Sequence, residues 1–163
     1  MTKRKIKLRI HFLCAVLLIS GAKSFGQSIG YFPFNSLLTV STNPEQVLWA
    51  DFRFQTNSYF TSLSTEVAPI FNLNKNNKGR FYLGPGFTFN PFGFIEDADV
   101  NLFEGYSLNF GVRSAPLEKL PQLQFAFEVS PFAAQSFDYG IFRTRMGVAY
   151  NFSRHRKMKR QPH

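Results

Sequence analysis

The sequence predicts an all-β fold, an eight-stranded antiparallel up-and-down transmembrane β-barrel, on three observations. Apolar and polar residues alternate with a period of two from Ser28 to Phe152. Turn-forming clusters divide that stretch into strand-length runs. A basic and then apolar leader precedes it. Nothing between residues 28 and 152 carries the 3.6-residue period of an amphipathic helix.

The leader comes first. Met1–His11 holds Lys3, Arg4, Lys5, Lys7 and Arg9 with no acid, and FLCAVLLI (12–19) is an unbroken apolar run. That run is far shorter than the roughly 20 residues of a spanning helix. Residues 1–26 are therefore expected to be a signal peptide, with Ser24 and Gly26 as the small residues before a cut after Gly26. The single cysteine, Cys14, lies inside the apolar run, where no small residues precede it as a lipoprotein cysteine would require. A chain cut after Gly26 has no thiol for a disulfide, a nucleophile or a metal site.

Charge is divided unevenly. Six of the 19 basic residues fall in 1–26 and five in 153–163, which leaves eight against ten acids between them. The sequence pI of about 9.9 therefore describes two ends and not the fold. A nucleic-acid partner is not expected.

Next come the strands. SIGYFPFNSLLTVS (28–41) is expected to form two strands joined near Pro33–Ser36, because a bacterial single-chain barrel takes an even number. LWADFRFQ (48–55) sets Leu48, Ala50, Phe52 and Phe54 against Trp49, Asp51, Arg53 and Gln55. SLSTEVAP (62–69) sets Thr65 and Val67 against Glu66 and Ala68. RFYLGPGFTF (80–89) sets Phe81, Leu83, Phe87 and Phe89 against Tyr82, Gly84, Gly86 and Thr88. YSLNFGVR (106–113) sets Tyr106, Leu108, Phe110 and Val112 against Ser107, Asn109, Gly111 and Arg113. QLQFAFEVSPF (122–132) sets Leu123, Phe125, Phe127 and Val129 against Gln124, Ala126, Glu128 and Ser130. The last strand sets Phe142, Thr144, Met146, Val148, Tyr150 and Phe152 against Arg143, Arg145, Gly147, Ala149 and Asn151. The connections are 41–46, 55–58, 72–79, 90–103, 114–121 and 134–140.

The apolar faces taken together are rich in aromatics, with many of the 21 Phe and 6 Tyr of the chain in the alternating strands. The opposite faces mix glycines with Asp51, Arg53, Glu66, Arg113, Glu128, Arg143 and Arg145. An eight-stranded barrel is too narrow for a channel and fills its interior with side chains. An unpaired buried charge costs several kcal/mol, so these seven residues are expected to form an interior charge network. Facing lipid, an arginine would cost roughly 2–4 kcal/mol at mid-bilayer. Period-two strands also suit a soluble sheet. The alternative is a periplasmic β-sandwich or a lipocalin-like carrier, with the aromatic faces turned inward on an apolar ligand.

RMGVAYNF (145–152) runs polar, any, Gly, any, any, hydrophobic, any, aromatic on Arg145, Gly147, Tyr150 and Phe152. It resembles the C-terminal assembly signal of Gram-negative outer-membrane β-barrel proteins. The chain as a whole resembles the small eight-stranded outer-membrane barrels of the OmpA/OmpX type, except that eleven residues follow Phe152. The resemblance implies insertion by the barrel assembly machinery, contact with outer-membrane lipid and a last strand running down to the periplasm. Connections 55–58, 90–103 and 134–140 are then extracellular. The expected organisation is a signal peptide at 1–26, an outer-membrane barrel at 27–152 and a basic periplasmic tail at 153–163.

Catalytic signals are absent from the expected barrel. His11, His155 and His163 all lie outside it, so no barrel histidine serves as a base. Glu66 and Glu128 have arginines to answer, which assigns them to structure and not to acid–base work. No phosphate loop or metal-spaced histidine cluster is present, and no cofactor is expected. Glu96, Asp97 and Asp99 are weak candidate oxygen ligands for a divalent cation. The expected function is non-enzymatic, in envelope structure or surface interaction.

Overall fold

The computed structural model describes residues 27–57, 64–75, 79–96 and 101–152. Within them eight antiparallel strands close into a barrel in sequence order. They are β1 Ser28–Phe32, β2 Leu37–Ser41, β3 Leu48–Gln55, β4 Thr65–Asn72, β5 Gly79–Phe89, β6 Phe103–Ser114, β7 Leu123–Ala134 and β8 Gly140–Asn151. The up-and-down order sends connections 33–36, 56–64, 90–102 and 135–139 to one end, here the upper end. Connections 42–47, 73–78 and 115–122 lie at the lower end. The expected signal peptide at 1–26 and the expected basic tail at 153–163 fall outside the described residues.

Residues 28–41 do form a hairpin. A 3-10 turn at Pro33–Asn35 breaks them, closed by Ser36 in the left-handed region at φ 47° with its N–H on the Pro33 carbonyl at 3.2 Å. Pro33 suits the first helical position because its missing N–H had no partner to lose. The two strands beside this turn are short, five residues each, whereas β5 to β8 have 11 or 12. The wall is therefore low at β1 and β2. β8 pairs with β7 over eleven residues but with β1 over only four, Ser28–Tyr31 against Val148–Asn151.

Three local features differ from the sequence expectation. Residues 91–96, expected as loop, form a short helix α1 at Pro91–Glu96. Asn90 caps it by accepting the Gly93 N–H at 2.9 Å, and a single capped turn is too short to show a helical period. β4 begins at Thr65 and runs on to Asn72, three residues past the expected end. Asn72 anchors that extension by donating to the Pro44 carbonyl at 2.9 Å and accepting from Trp49 Nε1 at 3.3 Å. Finally, the β4–β5 ladder is interrupted between Val67↔Phe87 and Phe71↔Leu83. The register on either side sets Pro69 opposite Pro85, and neither has an N–H to donate.

The alternation resolves into an inside-out pattern. Asp51, Arg53, Glu66, Asn109, Gln124, Glu128, Arg145 and Asn151 are buried within the barrel, while Phe125, Phe127 and Phe142 point outward at 47%, 43% and 71% exposure. Among the described residues the apolar interior consists of Ala149 and two small clusters. One is Trp49, Ala68, Ile70 and Tyr82; the other is Phe32, Leu37 and Ala126.

Candidate functional site in the charged interior

The barrel register brings acids and arginines together. Arg53 on β3 stands directly opposite Glu66 on β4, and Glu128 on β7 directly opposite Arg145 on β8. Asp51 lies two residues before Arg53, so the period of two puts both on the inner face.

Arg53 is the centre. Its Nε donates to Asp51 at 3.0 Å and its Nη1 to Glu66 at 3.1 Å. Nη1 and Nη2 also grip Glu128 at 2.8 and 2.7 Å, a two-pronged pair reaching from β3 to β7. Arg145 closes the ring, donating to Glu128 at 2.9 Å and to Glu66 at 3.0 Å. Arg113 stands 3.6 Å from Asp51 and lies over the Trp49 ring at 4.5 Å. That stacking accommodates two guanidinium nitrogens, Nε and Nη1, that have no hydrogen-bond acceptor.

Neutral partners complete the acids. Ser41 donates to Asp51 at 2.7 Å and the Tyr82 hydroxyl to Glu128 at 2.9 Å. Ser107 and Asn109 donate to Glu66 at 3.0 and 2.8 Å, and Ser130 donates to Asn109 at 2.6 Å. Every oxygen of the three carboxylates thus has a partner. Buried pairs are tolerated on that condition, because attraction offsets desolvation only when the remaining lone pairs are met.

Small residues leave room for this packing. A Cβ on Gly86 would collide with Ser107 and Glu66, and one on Gly111 with the Tyr82 ring. Gly147, expected as part of the assembly signal, gives its space to the Phe32 ring and the Tyr31 carbonyl. The other residues of that segment take separate places: Arg145 is in the network, and Tyr150 meets Phe152 edge-on at 5.0 Å at the lower end.

Six of the seven expected network residues therefore meet, and one stands apart. Arg143 faces inward at the upper end, opposite Ser130 and not opposite an acid. Among the described residues it makes no ion pair; its guanidinium lies over the Phe132 ring at 4.1 Å. The reason is position, since Arg143 sits two residues above Arg145, past the level of the carboxylates. Arg53, Arg113 and Arg145 take up Asp51, Glu66 and Glu128, and Arg143 is left with Glu66 and Glu104 as longer-range acidic neighbours only.

Above the network lies a cavity of about 290 Å³ lined by Asn35, Leu37, Gln55, Ser64, Thr88, Ile141 and Arg143, with Arg53, Glu66 and Arg145 as its floor. Sequence reasoning assigned no role to Tyr82, Ser107, Asn109 or Thr88. Their signal was present nonetheless, because each shares the odd or even parity of the charged residue on its strand or on the strand paired with it. Glu96 ends α1, and Asp97 and Asp99 lie outside the described residues, so the candidate cation ligands are not brought together within them.

Comparison with protein-family models, curated proteins and solved structures gives no match to this chain.

Proposed function

We propose that this chain is a non-enzymatic integral outer-membrane β-barrel protein with a structural or surface-interaction role at its upper end. The observation that carries the reading is the inverted distribution of side chains. Tyr31, Phe81, Leu108, Phe110, Phe125, Phe127, Met146 and Val148 cover the outside, and the ionised residues fill the inside. A contiguous apolar exterior needs an apolar surrounding, and a closed barrel meets bilayer requirements because all its strands are paired.

Rim aromatics support the same reading. At the upper end Phe89, Phe103, Tyr106 and Phe137 form a chain of ring contacts at 5.5, 4.9 and 5.6 Å. At the lower end Tyr150 meets Phe152. Membrane barrels carry such girdles at both interfaces. β5 to β8 also have the roughly 9–11 residues that a tilted strand needs to cross.

A lipocalin-like carrier of an apolar ligand would need an apolar lumen, whereas the lumen here is occupied by three carboxylates and their arginines. The assembly-signal role of Arg145, Gly147, Tyr150 and Phe152, export through residues 1–26, and contact with the barrel assembly machinery belong to the same proposal. On this reading the last strand runs down to the periplasm and the upper end faces outward.

The test is gel mobility of boiled against unboiled protein from a detergent-extracted outer-membrane fraction, with Phe127→Arg alongside. A faster unboiled band for the parent chain, lost on Phe127→Arg, supports the barrel in lipid. Recovery of the parent chain as a soluble periplasmic protein overturns it.

A further inference from the structure

We infer that the upper cavity is a binding site for a small oxyanion, a carboxylate or phosphate group, anchored by Arg143. The inference stands on the geometry of the lumen; only its lipid-headgroup branch and the gel-mobility readout rest on the membrane reading above.

Charge is the first argument. The three arginines deeper in the lumen are balanced by three acids, and the oxygens of Glu66 at the cavity floor are already taken by Arg53, Arg145, Ser107 and Asn109. Of the four inward arginines only Arg143 makes no ion pair among the described residues; Glu66 on the floor and Glu104, bonded to Ser64 on the cavity wall, act on it only at longer range. A guanidinium offers five N–H donors in a planar fork that fits a carboxylate or phosphate edge. The guanidinium lies over the Phe132 ring at 4.1 Å, and among the described residues no hydrogen bond takes its donors.

Unmet polar groups are the second argument. Thr88 is buried at 3% exposure and its hydroxyl has no hydrogen-bond partner, and Asn35 on the opposite wall has an unpartnered side-chain oxygen. Both line the same cavity as Arg143. A hydroxyl can donate to an anion, and the Asn35 amide can present its nitrogen after a flip of its two ends. A volume of about 290 Å³ lies near the lower edge of the range for small-molecule sites, ample for one oxyanion with some water.

Access follows from the low wall. β1 and β2 end at the 3-10 turn, so the upper half of β8, where Ile141 and Arg143 sit, rises past its paired residues on β1. The ligand can therefore be a free anion entering from above or the phosphate of a lipid headgroup entering at the side. The chemistry at Arg143 is the same in either case.

The experiment is isothermal titration calorimetry on the full folded chain in non-ionic detergent at low ionic strength. The probes are inorganic phosphate, succinate and a short-chain phosphatidate. One saturable site is expected for at least one probe, weakened about tenfold or more in Arg143→Gln, as for loss of a charge-assisted hydrogen-bond pair. Thr88→Val should weaken it less, and Lys119→Gln, at the far end, should leave it unchanged. Binding of phosphate or succinate identifies a free anion; binding of phosphatidate alone identifies a headgroup. No saturable binding of any probe, or equal affinity in folded Arg143→Gln, overturns the site. Heat-modifiable gel mobility of each variant shows that it is folded, and Thr88→Val provides the readout if Arg143→Gln is not.

Discussion

Arg53 and Glu128 hold each other across the lumen, Nη1 to Oε1 at 2.8 Å and Nη2 to Oε2 at 2.7 Å, from strands that are not neighbours in the sheet. Arg145 and Glu66 cross the lumen in the same way, from β8 to β4 at 3.0 Å, while Arg53–Glu66 and Glu128–Arg145 join adjacent strands. Together the two cross-lumen pairs tie opposite walls, and the Arg53–Glu128 side chains are enclosed at 1% and 0% exposure.

Removing Glu128 should therefore be costly. Glu128→Ala leaves Arg53 and Arg145 facing each other with only Glu66 between them, and it also strips the Tyr82 hydroxyl of its acceptor. Breaking a buried pair from one side costs roughly 3–5 kcal/mol. Urea titration of the refolded chain measures it. A loss below about 1 kcal/mol, the value of an exposed pair, would mean that water reaches the network.

Ionic strength gives an independent check on the same enclosure. Salt screens exposed charges over a Debye length of about 8–10 Å and buried ones much less. The unfolding midpoint of the parent chain should stay nearly constant as sodium chloride is raised to molar concentration. A steep fall would place the acids and arginines in contact with solvent.

Trp49 reports the direction of the faces. It is the only tryptophan in the chain and lies inside the barrel at 3% exposure, against Tyr82 at 5.8 Å. On the proposed membrane reading, its fluorescence in bilayers containing brominated lipid should be quenched weakly, and a tryptophan introduced by Phe127→Trp, on the outer face, should be quenched strongly. Strong quenching of Trp49 itself would mean that β3 is turned over, since a slip of one residue exchanges the two faces.

Two glycines should respond in opposite ways. Gly111→Val drives a side chain into the Tyr82 ring and should cost about 1–3 kcal/mol by overpacking. Gly79→Ala meets nothing within 4 Å and has no positive φ, so it should be neutral or stabilise by up to about 1 kcal/mol. The difference between their urea midpoints checks both; equal midpoints would contradict the tight fit around Tyr82.

The sequence by itself determined the strands, their number and the two faces. A side-chain period of two needs no tertiary information, and the even strand count of a single-chain barrel divided residues 28–41 near Pro33–Ser36 into the hairpin that brings the count to eight. It also determined which charges share the inner face, because parity along each strand places Asp51 with Arg53 and Glu128 with Ser130. Helix α1 escaped notice because one turn capped by Asn90 has no period to read.

Only the tertiary structure decided which partner each charge takes. Parity says that a residue points inward but not at what height or toward which wall, and that depends on strand stagger and barrel closure. Stagger lifts Arg143 past the level of Glu66 and Glu128, and closure brings Arg53 to Glu128 over 75 residues of sequence. A charge that looked like one of seven in a network thus stands, among the described residues, without an ion pair at a cavity.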